Sequence, residues 1–228
     1  MKQSFTSGGQ SIGVSASASI LPMNILLSVG ILLSSCNTSS STLQDGDLLF
    51  CVADNSVMSN AIVDATQMGK VNYDHVAIYA IIDNTPSVIE ANPKDGVTRR
   101  SLDDFMDAAT DINGGKGITV MRVTQSIDLK AVVERARQFI GQPYDWSYLP
   151  DNGKLYCSEL VYECYQNNDG KPVFEANPMT FKDSKGNIPD FWVDLFKRLG
   201  EPIPEGVTGT NPNDLSQSPV LEEVHRYF

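Results

Sequence analysis

An α+β domain, with a mostly antiparallel sheet and helices packed on it, is the fold class this sequence predicts. Three observations lead there. Apolar runs rich in β-branched residues recur between short turn sequences. Helical periodicities are set among them, in the order strand, helix, strands, helix, strand, helix, helix. No internal repeat and no linker divides the chain into separate cores. At 228 residues, 41% of them hydrophobic, the chain is long enough for one sizeable core.

The elements follow in order. GDLLFCVA (46–53) reads as a first buried strand, and MSNAIVDATQMG (58–69) as a helix that Gly69 stops. DHVAIYAII (74–82) is a central strand; DNTP (83–86) has turn chemistry, so SVIEA (87–91) returns as a hairpin partner, with GVTRRS (96–101) a short third strand. SLDDFMDAAT (101–110) opens with a Ser N-cap and first-turn acids, a good helix start. GITVMRV (117–123) is another strand, and IDLKAVVERARQFIG (127–141) an amphipathic helix capped by Asp128 and ended by Gly141. The aromatic-rich loop QPYDWSYLPDNGKLY (142–156) leads into a helix from Cys157, and DFWVDLFKRLG (190–200) is a second amphipathic helix. The Pro-rich tail EPIPEGVTGTNPNDLSQSP (201–219) is expected to wrap the surface, and His225, four residues from the end, to lie in a frayed terminus.

The first 36 residues stand apart. The uncharged run from Ile20 to Leu33 has the length of a signal-peptide core rather than of a membrane span. It ends in Leu33-Ser34-Ser35-Cys36, which resembles the lipobox of bacterial lipoproteins, in which Cys36 is acylated and becomes the mature N-terminus. The expectation is a signal peptide over 1–36, a tether over 37–45 and a single domain over 46–228, held at the cell envelope by a lipid on Cys36. An ordinary secretory signal cut nearby is the plainer alternative. The formal net charge of −11 supplies no basic footprint for nucleic acid.

With Cys36 assigned to the anchor, Cys51, Cys157 and Cys164 remain, an odd count that leaves a free thiol. Cys157 and Cys164 are seven residues apart on one helix, about 10 Å, too far for a disulfide. Cys157 starts the buried stripe that Leu160, Val161, Cys164 and Tyr165 continue. A helix N-terminus favours a thiolate and offers N–H groups to an oxyanion. A buried inert cysteine is the bland alternative. A cysteine nucleophile wants a histidine base and a third group that orients it. His75 opens an apolar strand, and Glu90 interrupts another, where a buried carboxylate needs a partner.

At these residues the sequence resembles a known family. DHVAIYAIIDNTPSVIEA is similar to the histidine hairpin of NlpC-type papain-fold cysteine peptidases, and GQPYDWSYLPDNGKLYCSELVYECY to their nucleophile segment. His75 precedes Cys157, the order of the circularly permuted YiiX-type branch. The resemblance implies a permuted papain-like fold with Cys157 as nucleophile, His75 as base and Glu90 as orienter. A turn centred on Asn84–Thr85 would set Glu90 opposite Tyr79, so a bulge is expected to bring it to His75, with Asp74 and Asp145 as fallback orienters. Tyr144, Asp145, Trp146, Tyr156 and Ser158 are the candidate substrate-binding residues, Tyr144 also as a second oxyanion donor. The expected activity is cysteine hydrolysis of amide or peptide bonds in a small, murein-derived substrate, with no cofactor and no metal. Two rival readings stand beside it: a lipid acyl hydrolase or acyltransferase, and a non-catalytic envelope binding module on the same fold.

Overall fold

The computed structural model describes residues 43–228, so the signal segment, Cys36 and most of the tether lie outside it. In chain order the elements are β1 (Leu48–Val52), α1 (Val57–Thr66), β2 (Tyr73–Ile82), β3 (Thr85–Asn92), β4 (Gly96–Ser101), α2 (Leu102–Ala108), β5 (Asp111–Ile112), β6 (Gly115–Lys116), β7 (Ile118–Val123), α3 (Leu129–Phe139), α4 (Cys157–Cys164), β8 (Asn177–Pro178), α5 (Asp190–Leu199), β9 (Thr208–Gly209), α6 (Pro212–Ser216) and β10 (Leu221–Arg226). Six strands form one antiparallel sheet in the order β10-β7-β1-β2-β3-β4. The N-caps Ser101 and Asp128 sit where the sequence places them, while α1 ends at Thr66, short of Gly69. Ser101 and Asp128 accept hydrogen bonds from Asp104 N and Ala131 N, both at 3.1 Å, and Gly200 ends α5 in the left-handed region.

Alternation along the strands divides the side chains between two cores. Leu48, Phe50, Val76, Ile78 and Ile89 face the larger, which helices α3 to α6 cover; Leu49, Ala77, Tyr79, Val88 and Ile118 face the smaller, closed by Phe105 of α2. Helix α4 lies over β2 and β3 in the larger core, flanked by α3 and α6. Gly96, at φ +71°, opens β4 where an added Cβ would lie 2.2 Å from the carbonyl oxygen of Gln142. Val97 N donates to that carbonyl at 2.8 Å, so the β3–β4 corner clamps the base of the aromatic loop.

Two expectations need correction. The hairpin turn is Asp83–Asn84, both at positive φ, and pairs Tyr79 with Val88 instead of Glu90. Continued inward, this register sets Glu90 across from Ala77, and His75 becomes its diagonal neighbour on the same face without a bulge. The tail does not merely wrap the surface. Asn213 of α6 is buried, and its Oδ1 accepts from Tyr73 N at 2.8 Å, pinning the start of β2. Beyond it β10 pairs along β7, with His225 opposite Val120, so His225 lies within a strand rather than in a frayed end.

Candidate active site

Cys157 is the first residue of α4, behind Tyr156 in extended backbone, and is 5% exposed. As a first-turn residue its N–H has no acceptor within the helix. The stripe beneath it is buried as its spacing requires: Leu160, Val161, Cys164 and Tyr165 are all wholly enclosed. Tyr165 OH donates to the Gly46 carbonyl at 2.7 Å, which ties the helix to the head of β1.

His75 stands near the start of β2, beside Cys51 of β1. Its Nε2 lies 2.6 Å from Glu90 Oε2, so Nδ1 is the ring nitrogen left to face the Cys157 thiol, which acts on the ring from nearby. Burial alone would lower the His75 pKa. The interactions with Cys157 and Glu90 outweigh it, and the ring titrates well above the ordinary histidine range. Glu90 is 2% exposed. Burial pushes its pKa up, but the bonds from His75 and Arg100 overcome this and hold it below the ordinary carboxylate range. The other two thiols are poor nucleophiles. Burial raises the pKa of both Cys51 and Cys164, and Asp74 adds to the rise at Cys51.

The structure therefore brings Cys157, His75 and Glu90 together, with His75 hydrogen-bonded to Glu90. It adds a member that the sequence reading missed: Arg100 Nη1 donates to Glu90 Oε1 at 3.1 Å. The available signal was that a buried acid in one strand calls for a cation in the next, and Arg100 lies two residues from Thr98, the register partner of Glu90. Asp74 does not serve as orienter; its Oδ2 accepts from Asp54 N at 3.4 Å.

Two cavities flank this site. One, of about 200 Å³, lies on the Cys157 side between α1, α5 and the tail; its walls include Tyr148, Tyr156, Phe181 and Trp192. Asp74 and Asp214 are its only charged lining residues among the described residues. The other, of about 290 Å³, lies on the His75 side and is bordered by Cys51, Glu90, Arg100 and Phe105. Ile62, Asp74 and Tyr144 border both.

The candidate binding residues divide. Tyr144 borders both cavities, and burial raises its pKa well above the ordinary tyrosine range, so its hydroxyl keeps a proton to donate. Tyr156 lines the first cavity, where its hydroxyl accepts from Thr210 N at 3.1 Å. Ser158 lines it too, wholly buried, its Oγ without a hydrogen-bond partner among the described residues. Asp145 and Trp146 reach neither cavity. Asp145 is fully buried, and its carboxylate accepts from Ser147 N, Ser147 Oγ and Leu149 N at 2.6–2.9 Å, so it staples the loop and is no substrate anchor. Trp146 packs edge-on against Tyr144, ring centroids 5.0 Å apart.

A family model described as the permuted papain-like amidase enzymes, YaeF/YiiX, C92 family, matches residues 42–225. The Escherichia coli (strain K12) protein YiiX is 29% identical over 185 residues, covering 79% of this chain and 85% of its own. A crystal structure described as metalloprotein YiiX from Escherichia coli O157:H7 superposes with a TM-score of 0.65 at 27% identity, over 81% of this chain and 98% of that one.

Proposed function

This chain belongs to the permuted papain-like amidase family of the YaeF/YiiX type and is a cysteine peptidase or amidase; on that premise we propose that it cleaves amide bonds of short peptides in the cell envelope, murein stems among them. The supporting observation is the first cavity. At about 200 Å³ it is of the order of the roughly 150 Å³ space that takes one benzene ring, which suits a single side chain rather than a long acyl tail. Its two carboxylates, with no cation among the described lining residues, suit an acyl group that carries an amine. The carboxylates in question are Asp74 and Asp214, not those of the aromatic loop.

In the proposed cycle His75 takes the Cys157 proton at Nδ1, and the sulfur attacks the carbonyl carbon of the amide. The oxyanion is held by Cys157 N–H and Tyr144 OH. His75 then returns the proton to the leaving amine, which departs through the second cavity. A water activated by the same ring hydrolyses the thioester. Glu90 keeps the ring oriented throughout. The YiiX structure is described as a metalloprotein, but among the described residues here no three His, Cys, Asp or Glu side chains converge as a ligand set, and no step is routed through a metal.

Cys36 acylation accounts for retention at the envelope in this reading. The deciding experiment compares kcat/KM for murein-type peptides and for acyl esters of long-chain lipids. Faster peptide cleavage is expected. A ten-fold preference for the lipid, about 1.4 kcal/mol in the transition state, overturns the assignment in favour of an acyltransferase-like activity.

A further inference from the structure

We propose that Arg100 is a positioning residue of this site: its guanidinium keeps Glu90 ionised and turned toward His75, and so fixes which ring nitrogen of His75 carries the proton. The inference rests on the reading of Cys157 and His75 as nucleophile and base.

The topology places the groups. In the β3–β4 register Glu90 pairs with Thr98 and Val88 with Arg100, so Arg100 is the diagonal neighbour of Glu90 on one sheet face. The guanidinium is itself fixed, since Nη2 donates to the Asp104 carbonyl at 2.6 Å and the group sits 5.9 Å from the centre of the Phe105 ring. Phe105 in turn flanks His75, ring centroids 6.3 Å apart. Helix α2 thereby braces the cation that braces the carboxylate.

The chemistry requires such a cation. A carboxylate 2% exposed prefers to be neutral unless it is paired. His75 cannot be a constant partner, because its charge changes within each turnover. Asn92 Nδ2 reaches the same Oε1 only at 3.5 Å and carries no charge. Asp74, Glu90, Cys157 and Arg100 all act on the Cys51 thiol and so share one electrostatic neighbourhood, in which only Arg100 is a fixed positive charge. Arg100 is the permanent cation in contact with Glu90.

Without Arg100 the hydrogen bond would reverse. A protonated Glu90 would donate to His75 Nε2, the ring proton would move to Nδ1, and Nδ1 would then face the Cys157 thiol as a donor. A ring in that state cannot take the thiol proton.

The test uses the full chain, with iodoacetamide as the probe. Alkylation of Cys157 is followed against pH by mass spectrometry of its own peptide, and the His75 tautomer is read from ring ¹⁵N shifts. For Arg100→Gln the acid limb of alkylation is expected to move up by about one pH unit, with a roughly ten-fold slower rate on that limb and the proton shifted to Nδ1. Arg100→Lys, which keeps the charge, is expected to hold the limb within about half a unit and the proton at Nε2. Arg99→Gln serves as control; Arg99 is tied to Ser87 and Asp83 and should leave the limb in place. An unmoved limb in a folded Arg100→Gln protein overturns the proposal. Should that variant not fold, a ring proton on Nδ1 in Arg100→Lys overturns it. A wild-type Cys157 alkylated no faster than a free thiol would instead refute the nucleophile reading, whatever Arg100 does.

Discussion

Replacing Glu90 by Gln probes the orienting carboxylate with almost no change in volume. The carboxylate accepts at two places, from His75 at 2.6 Å and from Arg100 at 3.1 Å. A Gln amide has one oxygen and one NH2, so it can satisfy only one of the two and turns a donor toward the other. One charge-assisted hydrogen bond is therefore lost, about 2 kcal/mol, which in a domain of this size lowers Tm by about 4–8 °C. Whichever partner the oxygen serves, the outcome is chemical as well. With the NH2 facing His75, Nε2 becomes an acceptor and the ring proton faces the thiol. The corresponding change in serine triads costs roughly 10⁴ in kcat, and a loss of at least about a hundred-fold is expected here. The pH profile carries a sign. Glu90 is held below its ordinary range, so its contribution is present above about pH 4.5 and is lost as pH falls through the lower folded value. His75 is raised, so its contribution is complete below about pH 6.5 and is lost as pH rises through its folded value. In Glu90→Gln the acid-side loss should disappear, and the alkaline-side loss should begin at lower pH. Hydrolysis assays with denaturation across pH measure both. A Glu90→Gln protein with wild-type kcat and an unchanged acid limb of stability would refute the reasoning.

Cys157→Ala should abolish turnover while leaving Tm within a few degrees, checked by hydrolysis and thermal melting. Cys164→Ala, which removes a wholly buried thiol below the site, should lose stability by about 1 kcal/mol and keep its activity. Glu159, largely buried and repelled by Asp145, has its pKa pushed up to about 8, so the fold should weaken from about pH 4.5 to about pH 8, and Glu159→Gln should remove that decline in chemical denaturation series. Metabolic labelling with a fatty-acid analogue should mark wild type and not Cys36→Ala; wild type without label refutes the anchor.

Local chemistry was legible in the sequence, and non-local pairing was not. Cys157 could be found because a helix start and a buried stripe are written within eight residues, and His75 because a single strand carries it. The sequence places Glu90 in the wrong register. The Asp83–Asn84 turn shifts the pairing by two positions from the Asn84–Thr85 centring, and only backbone at positive φ distinguishes them. Asp145 looked like an anchor because an acid among aromatics suits both a ligand and an Asx turn, and here the turn claims it. Arg100 and Asp214 lay beyond reach for one reason. Each enters the site through a partner distant in sequence, Arg100 across a strand pair and Asp214 on a tail helix that only tertiary packing orders. The Asn113–Gly114 turn between β5 and β6, at φ 50° and 84°, is by contrast a local hairpin signal written in the sequence.

The two cavities flank the site, the first lined by Cys157 and the second by His75, with Ile62, Asp74 and Tyr144 as a common rim. That arrangement suits two-armed inhibitors. An electrophile for Cys157 can carry a compact amine-bearing group into one side and an unrelated fragment into the other, each optimised alone. Joining them across the shared rim makes the second binding event intramolecular, at effective concentrations in the millimolar range, so two weak fragments gain roughly 10²–10⁴ in combined affinity without any new contact. Selectivity against cysteine hydrolases with a one-sided groove then follows from geometry, because only a site with one cavity beside the nucleophile and another beside the base can accept both arms.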